Sequence, residues 1–323
     1  HTTTSLATTP PTIAEDAFSG LNLRNINLIV PKGSEKAYKS DPYWGKFFAK
    51  KQKPSLEDCP KEFSFIPVPQ EVVYTGAAAL ETKNLGKIIA DETLANERKQ
   101  LETVLKSRLG TKNFKKSKAT ITLSIDKSIN TPESYTMSID EKGICIKGSD
   151  AAGVFYGIMT LDQMLIPQEE NGRIANLHAL TIKDSPRTKM RELMVDPCRI
   201  FIPFEDLKGM VVEMARYKMN ALHLHLTDDQ AWRIEIKKYP KLTEVGSFRV
   251  GMDDMQMPIS GFYTQEQMKE LVAFAKQYHV DIIPEIEMPG HQVAAIHCYP
   301  ELTCGGVQIP IRTTCGVSDN LLC

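Results

Sequence analysis

Histidines and aspartates are concentrated in residues 223–229 and appear again at residue 291. Residues 223–230 read H-L-H-L-T-D-D-Q, which places His223 two positions before His225 and Asp228 next to Asp229. His291 follows the sequence M-P-G. Side chains of these types can transfer protons, hold a metal ion or bind the hydroxyl groups of a ligand. Because imidazoles and carboxylates are costly to bury without partners, we expect these residues to share a functional site.

Three strand-like segments carry these residues, and two helical segments separate them. We predict the strand-like segments at residues 190–196, 221–230 and 280–291, each ending in polar residues. A helix after the first strand is indicated by apolar residues at helical spacing, namely Leu207, Met210, Val211 and Met214. Thr264 and Gln267 form a capping box, which predicts the start of a second helix before the third strand. This order is typical of right-handed βαβ units, whose functional sites lie at the carboxyl ends of the strands.

The second strand predicts which face of the sheet is apolar. Its leucines alternate with Ala221, His223 and His225, so the two sets point to opposite faces. We expect the leucines to pack against helices and the two histidines to line the interior as packed residues. Thr227, Asp228 and Asp229 then emerge at the carboxyl end of this strand.

Three runs of sequence resemble the β-N-acetylhexosaminidases of glycoside hydrolase family 20. These runs are R-E-L-M-V-D-P-C-R from residue 191, H-L-H-L-T-D-D-Q-A-W-R from residue 223 and I-I-P-E-I-E-M-P-G-H from residue 282. They occur in the order of the family, and the resemblance extends over residues 62–323. It implies an α/β fold class in which an α+β N-terminal domain precedes the first part of an incomplete (β/α)₈ TIM barrel.

The resemblance also implies a ligand and a set of site residues. The expected partners are glycans that end in N-acetylhexosamine, GlcNAc or GalNAc, and no cofactor or metal ion is expected. Arg191 is expected to grip the outer hydroxyl groups of the sugar. Asp228, Asp229 and His291 are expected to form the polar network that supports the catalytic acid.

The chemistry implied by the resemblance uses the acetamido group of the substrate as the nucleophile. An aspartate orients this group and the adjacent glutamate protonates the leaving oxygen, normally within a Gly-Gly-Asp-Glu-like motif after the fourth strand. No such motif occurs in residues 1–323. A complete barrel needs about 250 residues, more than follow residue 186 here. We therefore expect a chain that stops within the barrel, with both catalytic carboxylates beyond Cys323 and no activity of its own.

One residue departs from the family pattern, and two other functions stay open. Ile200 stands where the family usually has histidine, so any role of that histidine near the sugar cannot be carried over. A metal-dependent amidohydrolase could use His223 and His225 as paired ligands, and sensitivity to a chelator would distinguish it. A non-catalytic carbohydrate-binding or adhesion protein is suggested by the repeat-like N-terminus and by the missing acid.

Composition excludes several classes of partner. With 39 basic and 40 acidic residues the net charge is −1, so nothing favours electrostatic binding to nucleic acid or to an anionic membrane. No apolar run approaches the roughly 18 residues that span a bilayer. Because Cys298, Cys304, Cys315 and Cys323 form no C-x-x-C pair, we do not expect a zinc site among them. A loop disulfide, which export to an oxidising compartment would favour, and unpaired thiols both stay open. Since proteins of this family are commonly exported, the expected location is the periplasm, the cell surface or the exterior.

We predict three regions along the chain. Residues 1–59 are a flexible, Thr-, Ser- and Pro-rich lead-in followed by a segment that resembles a closing leucine-rich repeat, N-L-I-V-P-K-G-S-E-K-A-Y. Residues 60–187 form the α+β domain, with strands at 120–125, 135–139 and 144–147 and a helix at 151–165. Residues 188–323 form the partial TIM-barrel catalytic domain. In a barrel of three strands, Leu222 and Leu224 are expected to be exposed to water.

Overall fold

The computed structural model describes residues 2–14, 17–18, 23, 26–48, 55–58, 60, 62–110, 118–169, 171–249, 260–314 and 316–323. The strands are β1 (Thr2–Thr4), β2 (Asn27–Ile29), β3 (Ser55–Glu57), β4 (Glu71–Tyr74), β5 (Leu80–Glu81), β6 (Leu85–Ala90), β7 (Ala119–Ile125), β8 (Tyr135–Asp140), β9 (Gly143–Gly148), β10 (Gly172–Ile174), β11 (Asn176–Leu177), β12 (Leu180–Asp184), β13 (Glu192–Val195), β14 (Ala221–His225) and β15 (Asp281–Glu285). The α-helices are α1 (Glu35–Ser40), α2 (Ala95–Leu109), α3 (Ala151–Met164), α4 (Phe204–Arg216), α5 (Lys241–Glu244), α6 (Gln265–Lys276) and α7 (Val293–Cys298). Across the described residues, no helix combines the length and the apolar character needed to cross a membrane.

The first compact unit comprises His1–Pro60 and Leu165–Asn176. Strand β1 pairs in parallel with β2, and the Tyr38 hydroxyl donates to the carbonyl of Ala7. Trp44 donates its indole N–H to the carbonyl of Pro11. The strand pairing and these two side-chain hydrogen bonds satisfy backbone groups in the described part of the lead-in, and its flexibility stays a prediction. The core beneath it consists of Leu23, Leu28, Tyr38, Trp44 and Phe47.

The second compact unit comprises Lys61–Met164 and Leu177–Cys323 and contains two sheets that bear on function. Its larger sheet has six strands in the order β4-β12-β8-β9-β7-β6. Strands β7, β8 and β9 and helix α3 lie where the sequence predicts them. The turn between β8 and β9 requires Gly143, because a side chain there would put its Cβ 1.9 Å from the carbonyl oxygen of Thr120.

The smaller sheet is the beginning of the barrel and has the order β13-β14-β15, with all strands parallel. Helix α4 connects β13 to β14, and α6 precedes β15. The predicted capping box of Thr264 and Gln267 is present at the start of α6. The expected exposure of Leu222 and Leu224 is wrong, since both are fully buried. They lie on the central strand of the sheet, between β13 and β15, so their burial needs no further strand.

Two side chains of the barrel reach the α+β domain from left-handed backbone positions. Lys218 (φ 60°) follows α4 and His279 (φ 55°) follows α6, where a glycine is usual. The Lys218 ammonium lies 2.8 Å from a carboxylate oxygen of Asp184, and the His279 ring lies 2.8 Å from that of Glu97. Glycine would be easier for the backbone at both positions but would lose these contacts. The two helix ends therefore join the barrel to β12 and α2 of the α+β domain.

Lys218→Met is expected to lower the free energy of unfolding by about 3 kcal/mol, because Asp184 would be left with little water and without its cation. Lys218→Gly should cost less, since it relieves a left-handed conformation that costs about 1 kcal/mol. Urea unfolding of both variants at pH 7 measures the difference. A methionine variant as stable as the parent chain would show that the Lys218–Asp184 pair does not stabilise the fold.

Candidate active site

Asp228 is the centre of a charged network at the carboxyl end of β14. Its side chain is fully buried, and its oxygens contact His225 Nε2 at 2.6 Å and His291 Nδ1 at 3.0 Å. The guanidinium of Arg199 adds an ion pair at 2.6 Å. The backbone N–H of Asp229 donates to the same carboxylate at 2.6 Å. One buried anion thus holds three potential cations from three different strand ends.

The charges in this network stabilise one another. Burial alone would raise the pKa of Asp228, but hydrogen bonds from His225, Asp229 and His291 and the charge of Arg199 lower it below its usual range. Burial likewise opposes charge on His225, yet its hydrogen bonds to Asp228 and Glu285 outweigh this effect and raise its pKa to about 9. At neutral pH, Asp228 is therefore ionised and His225 is protonated.

Asp229 binds backbone groups rather than charged side chains. Its carboxylate accepts the N–H of Val293 at 3.3 Å and the N–H of Ser318 at 3.0 Å. Its carbonyl oxygen accepts the N–H of Arg312 at 3.3 Å. Asp229 therefore ties the start of α7 and the segment around Ser318 to the end of β14. The two adjacent aspartates therefore differ in role: Asp228 pairs with charged side chains, and Asp229 holds the backbone of two loops.

Glu285 and Glu287 extend the network into the barrel interior. Glu285 lies 2.7 Å from His223 Nε2 and 2.9 Å from His225 Nδ1. The hydrogen bond between the two glutamates raises the pKa of Glu287. Burial would raise the pKa of Glu285 as well, but Glu287 and His225 lower it. Both histidines are thus packed interior residues. Their carboxylate partners come from an E-x-E pattern, Glu285 and Glu287, at the carboxyl end of the third strand, which gave no prediction from the sequence.

Arg191 does not lie with the other predicted site residues. It precedes β13, whereas the network lies at the carboxyl end of that sheet. Its guanidinium contacts Glu133 at 2.7 Å and the Tyr156 hydroxyl at 3.1 Å. Its remaining donors bond the carbonyls of Lys218 and Thr188 at 2.6 and 2.8 Å. The structure brings Asp228, Asp229 and His291 together but places Arg191 at the α+β domain.

The arginine that does reach the network is Arg199. It follows β13, pairs with Asp196 at 2.7 Å and Asp228 at 2.6 Å, and keeps 29% of its side chain exposed. Asp196 also accepts the N–H groups of Cys198 and Arg199, which fixes the turn. The sequence signal for Arg199 is the D-P-C-R run, residues 196–199, because these residues follow β13 and so lie at the carboxyl end of the sheet.

Three groups of potential metal ligands lie close together. Within each group, the potential ligand atoms lie within 4.8 Å of one another. The groups are Asp196 with Cys198 and His225, His225 with Glu285 and Glu287, and Asp228 with Asp229 and His291. None of these groups, which draw on the described part of the chain, contains both His223 and His225 as the amidohydrolase alternative requires.

Of the two alternatives left open for the C-terminal cysteines, the structure shows a disulfide. Cys304 and Cys323 are bonded, while Cys298 is a free buried thiol. Cys315 lies outside the described residues. The disulfide closes the segment that delivers Ser318 to Asp229, so it supports the loop side of the site.

The protonation of His225 predicts a pH-dependent stability. Because its pKa is raised to about 9 in the folded chain, its contribution is complete below about pH 6.5 and is lost as pH rises through 9. The contribution is about 3 kcal/mol. We expect the difference in unfolding free energy between the parent chain and His225→Gln to shrink by that amount between pH 6 and 10. Urea titrations across this range measure it, and a constant difference would contradict the shifted pKa.

Comparison with known proteins identifies the family to which this site belongs. The pattern of the glycosyl hydrolase family 20 catalytic domain matches residues 189–323, and the pattern of domain 2 of that family matches residues 62–185. The chain belongs to glycosyl hydrolase family 20. The predicted family and fold class are therefore confirmed, and the six-stranded sheet and the three parallel strands are family 20 elements.

Individual relatives agree with this assignment. The β-hexosaminidase of Porphyromonas gingivalis is 39% identical over 251 residues, which is 76% of this chain and 31% of that protein. A β-hexosaminidase structure from Streptomyces plicatus in complex with the product GlcNAc has a TM-score of 0.73 and 32% identity, and covers 82% of this chain and 55% of that one. A β-N-acetylhexosaminidase from Bacteroides fragilis gives a TM-score of 0.67 at 29% identity, over 80% of this chain and 50% of that one. The chain thus spans about a third to just over half of the length of these relatives.

Proposed function

We propose that this chain is part of a β-N-acetylhexosaminidase, which removes a terminal β-linked GlcNAc or GalNAc residue from glycans. The observation that carries the proposal is the Asp228 network at the carboxyl ends of barrel strands, where active sites of this architecture lie. The proposal is also supported by a relative: the chain is 32% identical to a mutant β-hexosaminidase from Streptomyces plicatus whose structure contains the product GlcNAc.

In this proposal, Arg199 takes the sugar-binding role that the sequence analysis assigned to Arg191. The donors of Arg191 point to carbonyls and to Glu133 at the other end of the strand. Arg199 instead has an exposed edge, and its two carboxylate partners hold the guanidinium in a fixed orientation. Its outward N–H groups donate to hydroxyl oxygens of the sugar, and such charge-assisted hydrogen bonds are roughly twice as strong as neutral ones. Asp228 orients Arg199, His225 balances the charge of Asp228, and His291 is hydrogen-bonded to it.

The proposed chemistry is substrate-assisted and retains the anomeric configuration. The acetamido oxygen attacks the anomeric carbon while the bond to the leaving oxygen breaks and a glutamic acid protonates that oxygen. Water then opens the cyclic intermediate from the opposite side and returns the proton to the glutamate. The expected Gly-Gly-Asp-Glu-like motif for this step is absent from residues 1–323. The residues of this chain therefore bind and orient the sugar, and the two catalytic carboxylates are supplied from outside it.

The purified chain of 323 residues is expected to give no turnover of aryl β-N-acetylhexosaminides, because it lacks the acid and the aspartate that orients the acetamido group. The assay measures release of the aryl alcohol against buffer. Arg199→Ala, purified in the same way, serves as the control for contaminating glycosidases. Turnover that exceeds buffer and disappears in Arg199→Ala would show that this chain supplies the catalytic carboxylates itself.

We also propose that the protein acts in an oxidising compartment, as a periplasmic, cell-surface or secreted enzyme. The Cys304–Cys323 disulfide supports this proposal, because such bonds persist where thiols are not kept reduced. Cell fractionation with an antibody against the chain tests it, and recovery of the protein in the reducing cytosol alone would contradict it.

A further inference from the structure

Arg233 is a fully buried arginine whose side chain passes beneath the loop that carries Arg199. Its Nε donates to the carbonyl of Pro197 at 2.8 Å and its Nη2 to that of Cys198 at 3.0 Å. Its Nη1 donates to the carbonyls of Ser247 and Gly261 at 2.9 and 2.8 Å. One guanidinium therefore joins backbone from three separate segments, of which the first leads directly into Arg199.

The backbone of Arg233 gives this side chain a rigid base. Its N–H donates to the carbonyl of Leu226 at 2.8 Å, and its carbonyl accepts the N–H of Tyr263 at 2.7 Å. The guanidinium also lies over the ring of Phe201, 5.5 Å from the centroid. The loop is thus attached to the end of β14 through this residue as well as through the ion pair between Arg199 and Asp228.

A second arginine completes the attachment of the same loop. Arg249 donates from Nη2 to the carbonyl of Arg199 itself. The carbonyls of Pro197, Cys198 and Arg199 are therefore all bound by arginines from the region that follows β14. With the N–H groups of Cys198 and Arg199 on Asp196, the backbone of this turn is bonded on both sides.

We propose that Arg233 is a positioning residue for sugar binding, which holds the carbonyls of Pro197 and Cys198 so that Arg199 presents its free edge to the substrate. This inference rests on the proposed role of Arg199 in contacting sugar hydroxyls. Arg233 itself touches no substrate, because it is completely buried beneath the loop. Its effect on catalysis passes through the position of Arg199.

The geometry requires arginine at this position. The planar guanidinium directs its donors along fixed, divergent directions, whereas a lysine ammonium concentrates three donors at one point. Lysine can therefore serve one of the segments but not Pro197, Cys198 and Gly261 together. Burial lowers the pKa of Arg233 to about 10, so it remains protonated at neutral pH.

The position of Arg199 can be measured without any activity. In the chain of 323 residues with ¹⁵N-labelled arginine, the Nη–H signals of Arg199 should be resolved, because two carboxylates restrict rotation of its guanidinium. Arg199→Lys assigns these signals by their loss. We expect Arg233→Lys to merge or broaden the Arg199 signals, and Arg98→Lys, which changes an exposed arginine, to leave them unchanged.

Unchanged Arg199 signals in a folded Arg233→Lys chain would overturn the proposal. If that variant does not unfold cooperatively, Arg249→Lys must produce the same broadening, and its failure to do so would equally overturn it.

A double-mutant cycle tests the consequence for catalysis in the enzyme at the length of its relatives. Arg233→Lys is expected to lower kcat/KM about 100-fold, in line with a displacement of about 1 Å, mainly through KM. In an Arg199→Lys background it should lower kcat/KM less than threefold, because Arg233 acts through Arg199. Multiplicative effects would assign Arg233 a general structural role and refute the positioning role. An enzyme without hexosaminidase activity would refute the proposed function, while the Arg199 signals would still decide the positioning of this loop.

Discussion

Asp228→Asn is expected to lower the free energy of unfolding of the 323-residue chain by about 3 to 5 kcal/mol. The substitution keeps the shape of the side chain but removes the buried negative charge that His225, His291 and Arg199 contact. At pH 7 His225 is protonated, since its pKa is about 9, so the change leaves a cation with one carboxylate fewer. Urea unfolding at pH 7 measures the loss.

Asp229→Asn is the matched control, because it changes the neighbouring buried carboxylate. Asp229 accepts hydrogen bonds from the backbone N–H groups of Val293 and Ser318, and an amide oxygen can still accept one of them. We expect a loss of about 1 kcal/mol. Equal losses for the two variants would show that the Asp228 network does not depend on charge.

The sequence predicts the elements of this fold well where the signal is local. The alternation in Ala221–His225 and the capping box at Thr264 each depend on residues that are neighbours in the chain. Helix α3 was predicted at residues 151–165 and lies at Ala151–Met164. The meeting of Asp228 with His291 was also predictable, because the carboxyl ends of adjacent parallel strands share one edge.

The placement of Arg191 shows what the sequence pattern did not resolve. Arg191 and Arg199 lie in the same family motif, on either side of β13, and a strand of four residues separates its two ends by about 13 Å. The partner of Arg191 is Glu133, which is 58 positions away in the chain. Such a contact depends on how the α+β domain packs on the barrel, and neither periodicity nor motif order carries that information. The role of Arg233 could not be predicted from the sequence for the same reason, because its acceptors are backbone carbonyls, which every residue has.

The strongest expected effect concerns the acetamido group of the substrate. In the enzyme at the length of its relatives, kcat/KM for an aryl β-N-acetylglucosaminide should exceed that for the matching β-glucoside by about 10⁵-fold. An internal nucleophile that is already oriented can remove about 7 kcal/mol or more of the barrier, and the 2-hydroxyl of the glucoside provides none. Initial rates at pH 7 with the same leaving group on both sugars give the ratio directly.

Replacing hydrogens of the acetyl group by fluorine provides the control for nucleophilic participation. Each fluorine withdraws electron density from the carbonyl oxygen, so kcat should fall steadily from the acetyl to the trifluoroacetyl substrate while the sugar contacts of Arg199 stay the same. A metal chelator should leave these rates unchanged. Comparable kcat/KM values for the glucoside and the N-acetylglucosaminide would refute the substrate-assisted mechanism. They would require either a carboxylate nucleophile from the protein or direct attack by a water molecule that a carboxylate activates, and the configuration of the product distinguishes the two.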